Sequence, residues 1–541
     1  MFNGKHISYW LDSTEMKNYS SLKEEVKVDV AIIGGGIAGI TTGFILKKQG
    51  FNVALIESNR IVGDVTAGTT AKITITSGLI YSNLLSKFGK DFALKFYMAN
   101  FDAFNTISNI VNEFNIDCDY RVSPLCLYSS DENSFHLIKD EYDSLEELGV
   151  HAKLTDELPY PHKGLGILHD NQGEFHPKKY LNFLADSIEG NGSFVFEKTR
   201  VFSIEDAPKD SSYDFDLKKI SNGNYNDLKL IHTENGNILA NFVVVATNSP
   251  IYDPDYVCNF MHQNKSYIMG VYTNKNKDSG MFVDINPFHS YRSTNTDKGE
   301  MVIVGGEHHD IGEVEDTWEC YKNLSNYIEE IFDTTDIEYF WSNQDNRAVD
   351  EVPIIGETSH NGVYIATGFG SWGMTTGTIS ANVISQLILN KLGKKRIKLN
   401  EGKENLRIDD YINIFDPQRF KDKEGHKDIE ECLNRLDRGS KIENSDTYEL
   451  NDEESQCLSK YLLELDFEEA KIVNIGNHSV AIYKDIDSNF YGVESRSTHS
   501  GCTLVWNTAE KSWECPKFGS RFSFNGKVIH GPAIYDLKSY I

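Results

Sequence analysis

Three glycines near the start of the chain, Gly34, Gly36 and Gly39, have the G-x-G-x-x-G spacing. An apolar run at residues 28–33 precedes them and predicts a buried strand, a helical pattern follows them, and a second predicted strand ends at Glu57. In such a unit the first glycine permits a tight turn, the second lets the backbone approach a pyrophosphate, and the third lets helix and strand pack closely, while the acid binds a ribose. The unit therefore predicts a site for a dinucleotide, either FAD or NAD, with its pyrophosphate at the helix N-terminus.

Two further stretches have residue types that suit the same ligand. Residues 59–76 are rich in glycine and threonine, so their N–H groups and hydroxyls can lie along an extended ligand; a plain surface loop is the alternative. Residues 363–367 predict a strand that leads through a second glycine loop, residues 368–375, into a helix over residues 376–391. The start of this helix would present N–H groups and a positive dipole end to the ligand.

Two adjacent histidines, His308 and His309, are candidates for proton transfer. They follow a Gly-Gly-Glu turn at the end of a predicted sheet, where the active-site loops of two-domain enzymes often lie. Histidine titrates near neutral pH, so either one is a candidate general base. An ordinary surface histidine is the alternative for each of them.

Length, charge and cysteine usage restrict the class of protein. The 541 residues suffice for two to four domains, and the formal net charge of −28 disfavours nucleic acid and anionic membranes as partners. Eight scattered cysteines predict reduced thiols rather than a disulfide framework, the first 21 residues lack the pattern of a signal peptide, and no apolar run is long enough to span a membrane. A cytoplasmic location is therefore expected.

Two kinds of secondary-structure pattern alternate along the chain and must position these residues. Strand–glycine–helix units occur at both ends of the nucleotide-binding region, whereas residues 268–304 contain several short strand-like runs that predict an antiparallel sheet. One helix is expected over residues 81–114 and one strand over residues 194–201. Short strands separated by turns follow from about residue 470 and predict a small all-β domain. The alternation predicts an interleaved two-domain enzyme with an added C-terminal domain.

The first 395 residues resemble the D-amino-acid oxidase and glycine oxidase superfamily of FAD-dependent oxidoreductases. The resemblance is carried by the unit that ends at Glu57, by Thr69-Thr70-Ala71-Lys72, by the ATNSP segment, and by PIIG followed by ATGFGSWGMTTGT. It implies non-covalent FAD, and an α/β FAD-binding domain (Rossmann-like, glutathione-reductase type) interleaved with an α+β substrate domain. The implied parts are about residues 28–90, 165–250 and 345–395 for FAD binding and about residues 91–164 and 251–344 for substrate, followed by a linker at 396–452 and a C-terminal domain at 453–541.

The resemblance also implies which residues contact FAD. The motif glycines and Glu57 would hold the ADP half, Val201 would meet the adenine through its backbone, and the loops around Lys72 and Trp372 would line the isoalloxazine. The helix that begins near Thr375 would point its positive end at the N1–C2 carbonyl edge of the flavin. The implied FAD-binding residues are Gly34, Gly36, Ile37, Ala38, Gly39, Glu57, Ser58, Thr69, Thr70, Ala71, Lys72, Val201, Ala246, Thr247, Gly370, Trp372, Gly373, Met374 and Thr375.

Relatives that oxidise amino acids place an arginine just before the PxIG segment, where it binds the substrate carboxylate bidentately. The equivalent position here is Asp345, which suits a cationic amine better than an amino acid. An ion pair of Asp345 with Arg347 or Arg292 is the alternative. On family grounds Arg292 is itself a candidate pocket residue, so the candidate catalytic residues are His308, His309, Asp345 and Arg292.

The C-terminal domain resembles a Rieske module. The match is carried by STHSGC at residues 497–502, by CPKFGSRF beginning at Cys515, and by a later GPA segment. A functional Rieske module binds its [2Fe–2S] cluster with Cys-x-His and Cys-x-x-His. Here Ser497 replaces the first cysteine and Phe518 the second histidine, so only His499 and Cys515 remain. The resemblance therefore implies a small all-β Rieske-like fold with no cluster and no metal site.

These features favour an FAD-dependent oxidoreductase of the amine or amino-acid oxidase or dehydrogenase type. It would transfer a hydride from the carbon that bears the amine to flavin N5, and then pass electrons to an acceptor that the sequence does not identify. The Rieske-like domain would serve in structure or docking. Two alternatives stay open: a flavin-binding scaffold or redox sensor without turnover, and an FAD/[2Fe–2S] electron-transfer oxidoreductase.

Overall fold

The computed structural model describes residues 2–158, 163–208, 227–274, 280–396, 407–420 and 450–541. Most of the predicted linker, residues 397–406 and 421–449, lies outside the described residues. The strands are β1 (Lys5–His6), β2 (Val26–Ile33), β3 (Val53–Ile56), β4 (Lys72–Ile73), β5 (Arg121–Ser129), β6 (Lys153–Thr155), β7 (Leu165–Glu174), β8 (Phe194–Phe196), β9 (Val201–Asp206), β10 (Lys229–Thr233), β11 (Gly236–Val245), β12 (Met261–Tyr272), β13 (Met281–Ile285), β14 (Phe288–Thr296), β15 (Gly299–Asp310), β16 (Ile337–Ala348), β17 (Ile354–Glu357), β18 (Val363–Thr367), β19 (Ala470–Ile475), β20 (His478–Lys484), β21 (Phe490–Glu494), β22 (Val505–Asn507), β23 (Ser512–Glu514), β24 (Arg521–Ser523) and β25 (Val528–His530). The helices are α1 (Tyr9–Asp12), α2 (Ile37–Lys48), α3 (Ile80–Phe88), α4 (Lys90–Phe114), α5 (Phe135–Glu147), α6 (Pro177–Ile188), α7 (Trp318–Phe332), α8 (Gly373–Lys391), α9 (Ile408–Tyr411) and α10 (Asp452–Leu463), with short 3-10 helices at Glu132–Ser134, Val257–Phe260, Ile412–Phe415 and Pro417–Phe420.

The first large sheet is built around β2, whose sequence VKVDVAII is apolar at six of its eight positions. Such a run suits a strand that is buried on both faces, and β2 pairs in parallel with β3 on one side and β11 on the other. The strand order is β17-β18-β11-β2-β3-β8, with β10 pairing with both β11 and β9. Helices α2 and α8 are buried along most of their length. This layer is the Rossmann-like part that the sequence predicts.

The second large sheet has the order β1-β16-β12-β15-β14-β13-β5-β7-β4, with β6 paired to β7. Its long antiparallel strands β12, β14, β15 and β16 come from the region where the sequence predicts the substrate sheet. Residues 165–174, which the predicted division assigns to FAD binding, form β7 and pair antiparallel with β5 in this sheet. Strand β7 belongs to this sheet because its hydrogen-bonding partner, β5, lies there, and β5 is about forty residues earlier in the chain.

Two predicted elements are each divided by a residue with positive φ. The helix predicted over residues 81–114 is two helices, α3 and α4, because Gly89 has a φ of 81° and interrupts the helical backbone. The strand predicted over residues 194–201 is two strands, β8 and β9, separated by a turn in which Lys198 has a φ of 49°. Val201 therefore begins β9 instead of ending β8.

The C-terminal domain consists of two antiparallel sheets, β19-β20-β21 and β22-β23-β24-β25. Its hydrophobic core is continuous with that of the preceding residues, because Trp513, Phe518 and Phe522 belong to one buried cluster with Phe260 and Met261. The all-β domain is therefore packed against the body of the protein.

Residues 407–420, the described part of the predicted linker, form short helices that also pack on this body. The Tyr411 hydroxyl donates a hydrogen bond to the carboxylate of Asp102 at 3.0 Å, and Arg419 pairs with Asp350 at 2.9 Å. This stretch is thus anchored by polar contacts on two sides.

Candidate active site

An elongated cavity of about 380 Å³ lies at the carboxyl ends of β2, β3 and β11. Open parallel sheets bind their ligands at this position. We call it the dinucleotide cavity. Its lining includes these predicted residues: Gly34, Gly36, Ile37, Ala38, Glu57, Ser58, Thr69, Val201, Ala246, Thr247, Gly373 and Met374.

The three motif glycines have different surroundings. A Cβ on Gly34, which has a φ of 112°, would lie 2.3 Å from the carbonyl oxygen of Ala246, and a Cβ on Gly39 would lie 2.0 Å from the carbonyl oxygen of Gly34. These two glycines therefore permit close backbone packing. At Gly36 the one atom of the described residues within 4 Å of such a Cβ is Thr66 Oγ1, at 2.9 Å. Gly36 leaves open space for a ligand, which is the role its place in the motif predicts.

The N-termini of α2 and α8 both open onto the dinucleotide cavity. Within the described structure their N-cap residues, Gly36 and Trp372, supply no side-chain hydrogen bond, although Thr66 Oγ1 accepts one from the Ile37 N–H at 3.0 Å. The two helices approach closely because Gly377 lacks a side chain: a Cβ there would lie 2.8 Å from Ile37 Cγ2. Two positive helix ends in one cavity suit a ligand with two separated acceptor groups.

Glu57 is fixed at the end of β3. Its carboxylate accepts hydrogen bonds from the Gly35 N–H at 2.9 Å and the Asn59 N–H at 2.8 Å, and burial raises the pKa of Glu57. An acid held at this strand end is placed to bind a ribose. The open space at Gly36, the two helix ends and this acid together fit the pyrophosphate, the flavin edge and the ribose of FAD.

The threonine-rich loop holds a buried lysine beside the second helix end. Lys72 and Trp372 line a cavity of about 60 Å³, together with Thr69, Thr70, Ala71, Gly373 and Met374 of the predicted set. The Lys72 ammonium donates hydrogen bonds to Thr70 Oγ1 at 3.0 Å and Ser290 Oγ at 3.1 Å. Burial, assisted by the charge of Arg292, lowers the pKa of Lys72 to about 7. The lysine therefore changes charge near neutral pH, at the place where the resemblance expects the flavin ring.

Arg292 lies behind this loop rather than in a cavity wall. It is 1% exposed, pairs with Glu174 at 2.9 Å, and donates hydrogen bonds to the carbonyl oxygens of Ala71 at 2.8 Å and Phe175 at 3.1 Å. Ala71 has a φ of 59°, a conformation that needs external support. These contacts hold the shape of the loop, and a contact of Arg292 with substrate stays a prediction.

An open cleft of about 810 Å³ lies beside the second glycine loop, and Asp345 lines both this cleft and the dinucleotide cavity. The Asp345 carboxylate accepts hydrogen bonds from the Ser371 N–H at 2.6 Å and the Asn346 N–H at 2.8 Å. Burial outweighs these hydrogen bonds and raises the pKa of Asp345 to about 6. The carboxylate is therefore ionised at neutral pH and lies where the cleft meets the predicted flavin site.

Neither alternative partner of Asp345 pairs with it in the described structure. Arg347, which also lines the cleft, pairs with Glu351, and Arg292 pairs with Glu174. The two arginines are thus engaged by other acids, and the Asp345 carboxylate is held by backbone N–H groups instead.

The two candidate histidines occupy different environments. His308 lines both the cleft and the small cavity. Desolvation by the surrounding protein lowers the pKa of His308, so its imidazole is neutral at pH 7. His309 instead contacts the Tyr267 hydroxyl at 3.0 Å and the carbonyl oxygen of Asp310 at 2.8 Å. The structure therefore brings His308 to the site and directs His309 to Tyr267.

Three predicted FAD-binding residues have other positions. Gly39 is used in the packing of α2 on β2, Gly370 lines the open cleft, and Thr375 is 1% exposed and accepts a hydrogen bond from the Thr74 N–H at 3.0 Å. Thr375 thus ties the threonine-rich loop to the start of α8.

The remnant cluster positions of the C-terminal domain lie together. The His499 ring is 5.4 Å from that of Phe518, the Ser497 hydroxyl accepts a hydrogen bond from the His499 N–H at 3.3 Å, and Ser500 Oγ is 3.6 Å from Cys515 Sγ. Across the described ranges no group of three or more His, Cys, Asp or Glu side chains is arranged for a metal ion. A phenyl ring has no donor atom and a serine hydroxyl is a poor thiolate substitute, so this donor set does not fit a [2Fe–2S] cluster.

Several cavity residues are absent from the sequence-based prediction. Asp64 and Thr66 lie in a loop that was predicted to bind the ligand, so their position could have been extended from its neighbours. Arg200 and Asn248 adjoin predicted residues in the same way. Six residues of the C-terminal domain also line the cavity: Val528, Ile529, His530, Gly531, Ala533 and Ile534. No local sequence pattern predicts this contact, because these residues are nearly 500 positions from the glycine motif.

The fold, the glycine turn and the paired helix ends define a flavin-dependent oxidoreductase. Residues 29–387 match the family of FAD dependent oxidoreductases of the D-amino-acid oxidase type, and the chain belongs to this family. Residues 458–541 match the Rieske [2Fe-2S] domain, which agrees with the all-β fold of the C-terminal domain.

Two curated proteins and one solved structure are similar to all or part of this chain. The chain is 30% identical over 541 residues to the protein YhfW of Bacillus subtilis (strain 168), which carries the name of a Rieske 2Fe-2S iron-sulfur protein, and the match covers 98% of this chain and 97% of YhfW. It is 24% identical over 253 residues to gamma-glutamylputrescine oxidoreductase of Escherichia coli (strain K12), covering 45% of this chain and 54% of that protein. Glycine oxidase from Geobacillus kaustophilus has a similar fold, with a TM-score of 0.53 at 15% identity over 70% of this chain and 98% of that one.

No helix in the described ranges combines the length and the apolar character that are needed to cross a lipid bilayer.

Proposed function

We propose that this FAD-dependent oxidoreductase oxidises a small cationic amine and does so without an iron–sulfur cluster. The observation that carries the proposal is the Asp345 carboxylate, which lies between the open cleft and the dinucleotide cavity and whose hydrogen-bond donors are backbone N–H groups. An ionised acid at this place attracts an ammonium group and repels a carboxylate. The name of the Escherichia coli relative, a gamma-glutamylputrescine oxidoreductase, also supports an amine substrate.

In this proposal, different residues of the chain bind the substrate and accept its proton. Asp345 binds the substrate ammonium, and Trp372 and Phe288 form apolar walls of the cleft. His308, which lines the cleft, is the proposed base: it takes the proton of the ammonium nitrogen and passes it on to solvent, so that the nitrogen lone pair is free when the C–H bond breaks. When bound, FAD supplies the acceptor for the hydride that leaves the amine-bearing carbon. Electrons then pass to oxygen, a quinone or a partner protein.

The role proposed for the Rieske-like domain is structural. Only His499 and Cys515 remain of the four cluster ligands that the fold normally supplies, and Phe518 fills space in the buried core that both domains share. The cytoplasm is the proposed location, because eight scattered cysteines without a framework pattern are typical of a reducing compartment.

The function is tested on the purified full-length chain. We expect a flavin absorption spectrum, no stoichiometric iron or acid-labile sulfide, and anaerobic bleaching of the flavin by one or more primary or secondary amines. Amino acids without a second amine should bleach it more slowly. Stoichiometric iron and sulfide would contradict the structural role of the Rieske-like domain, and a flavin that no amine reduces would contradict the activity.

The substitution Asp345→Asn tests the amine-binding role. Because the pKa of Asp345 is raised to about 6, the carboxylate is charged above pH 6 and is neutralised as the pH falls below it. For the unchanged protein, the KM for a cationic amine should therefore rise as the pH falls through 6. For Asp345→Asn we expect a KM about tenfold higher than that of the unchanged protein at pH 8, which is the loss of about 1.4 kcal/mol. The KM of this variant should not depend on pH between about pH 5 and 7, because the group that titrates near 6 is gone.

The matched control is Asp310→Asn, which removes an exposed acid from the same cleft. Its KM should stay within about twofold of the unchanged protein, because a well-solvated charge interacts weakly. Equal effects of the two substitutions would show that only the overall charge of the cleft matters.

A further inference from the structure

A segment of the C-terminal domain forms part of the wall of the dinucleotide cavity. This segment, residues 528–534, which we call the strap, begins with β25. Val528, Ile529 and His530 line the cavity together with the glycine turn of the FAD-binding domain and with Val201. A ligand in the cavity would therefore contact residues of both domains.

The strap is fixed to its own domain by backbone contacts. Strand β25 pairs antiparallel with β24. The Val528 N–H donates a hydrogen bond to Asp536 Oδ1 at 2.8 Å, and the Ala533 N–H donates one to Ser520 Oγ at 3.0 Å. The strap therefore moves only if the loop refolds locally or the whole domain shifts.

The strap and the adjoining Tyr535 are joined to the FAD-binding domain at two places. At one place, Arg200 donates a hydrogen bond to the Val528 carbonyl oxygen at 3.4 Å, and the rings of Phe202 and Tyr535 stack with centroids 5.7 Å apart. At the other place, His530 Nδ1 lies 2.5 Å from the carboxylate of Asp64. Both contacts cross the domain boundary and hold the strap over the cavity.

His530 is the polar side chain that the strap directs to the ligand. It is 5% exposed, and its Nε2 lies 3.5 Å from the side-chain amide of Asn248, which also lines the cavity. Asp64 engages Nδ1 at short range, whereas the contact of Nε2 with Asn248 is long, so Nε2 is the ring nitrogen that a ligand in the cavity can engage in place of Asn248. The acceptors and hydroxyls of FAD between its adenine and its flavin ring are suitable partners for an imidazole N–H or nitrogen.

We infer that the C-terminal domain retains the cofactor: the strap closes the dinucleotide cavity, and His530 hydrogen-bonds bound FAD. The inference rests on the FAD binding that the proposed function requires, but not on turnover. The Rieske-like domain, whose cluster ligands are incomplete, would then have a specific role. This role would also explain why the domain shares a hydrophobic core with the oxidoreductase.

The first test measures FAD release from the full-length holoprotein, followed as the fluorescence of free FAD after dilution. His530→Ala should release FAD about tenfold faster, because a hydrogen bond in an enclosed site is lost. Tyr535→Ala, which removes the ring stack without altering the cavity lining, should release it about threefold faster. The control His478→Ala changes a histidine of the same domain on β20, where it contacts Tyr540, and should stay within twofold.

The second test needs no substitution. Hydrogen–deuterium exchange of the full-length protein should slow in residues 528–535 when FAD is added, and should stay unchanged in the β19–β20 hairpin. Unchanged exchange in the strap, or release from His530→Ala and Tyr535→Ala at the rate of the unchanged protein, would overturn the inference and leave the proposed function intact. A chain that binds no FAD would overturn both, whereas bound FAD that no amine reduces would overturn only the proposed function.

Discussion

Replacing Gly36 with valine is expected to weaken FAD binding at least a hundredfold while the protein stays folded. Gly36 has φ of −90° and ψ of −171°, an extended conformation that valine adopts readily. The branched side chain would project into the space above the start of α2, where the pyrophosphate must lie. A hundredfold change corresponds to about 2.7 kcal/mol of binding free energy. Titration of the apoprotein with FAD, followed by flavin fluorescence, measures the Kd.

The same substitution three residues later should give the opposite pattern. A Cβ at Gly39 would lie 2.0 Å from the carbonyl oxygen of Gly34, which is backbone and cannot move aside. Gly39→Val should therefore destabilise the fold itself, seen as a lower unfolding midpoint in circular dichroism without FAD. If Gly36→Val bound FAD with the Kd of the unchanged protein, the pyrophosphate would have to lie elsewhere.

The second large effect is expected at the boundary between the two domains. Lys265 of β12 and Glu514 of β23 form an ion pair at 2.5 Å, with side-chain exposures of 0% and 3%. Glu514 also accepts a hydrogen bond from Arg521 at 3.2 Å. Glu514→Leu would leave two buried cations without this acid, which should cost about 3–5 kcal/mol of unfolding free energy. Denaturant unfolding followed by tryptophan fluorescence measures the loss.

A double variant separates charge burial from packing. In Lys265→Met with Glu514→Leu, both charges of the pair are replaced by apolar side chains of similar size. Replacing a buried ion pair in this way is often nearly neutral, so most of the lost stability should return. If the double variant were as unstable as Glu514→Leu alone, the cost would come from shape or from Arg521 rather than from the unpaired Lys265.

The ion pair also links stability to the cofactor. Glu514 is on β23, which pairs with β24, and β24 pairs with the strap. Glu514→Leu should therefore accelerate FAD release, and the double variant should slow it again. This coupling is expected only if the strap encloses the cofactor.

Local interactions explain why the nucleotide-binding unit is predictable from the sequence. The strand, the glycine turn, the helix and Glu57 occupy about thirty consecutive residues. Gly34 and Gly39 are required by backbone atoms that lie close to them, and Gly36 by the space that the ligand needs. The same reasoning holds for the second glycine loop and α8. The loss of cluster ligands is also visible in the sequence, because a phenyl ring cannot coordinate iron wherever it lies.

Long-range pairing accounts for what the sequence does not reveal. The sheet to which β7 belongs depends on its partner β5, and the partners of Arg292 and Asp345 depend on which acids and backbone N–H groups meet them in space. Likewise, His308 and His309 are neighbours in the chain, yet one faces the cleft and the other contacts Tyr267.

The dinucleotide motif and the alternation of the two domains can be predicted from short stretches of the sequence, because residue type and spacing there limit the backbone conformations that are allowed. Which charges remain unpaired, and which distant loop covers the cofactor, follow from contacts between residues that are hundreds of positions apart. The strap is the clearest case: His530 reaches Asp64 only because the Rieske-like domain packs its core and its buried ion pair against the oxidoreductase.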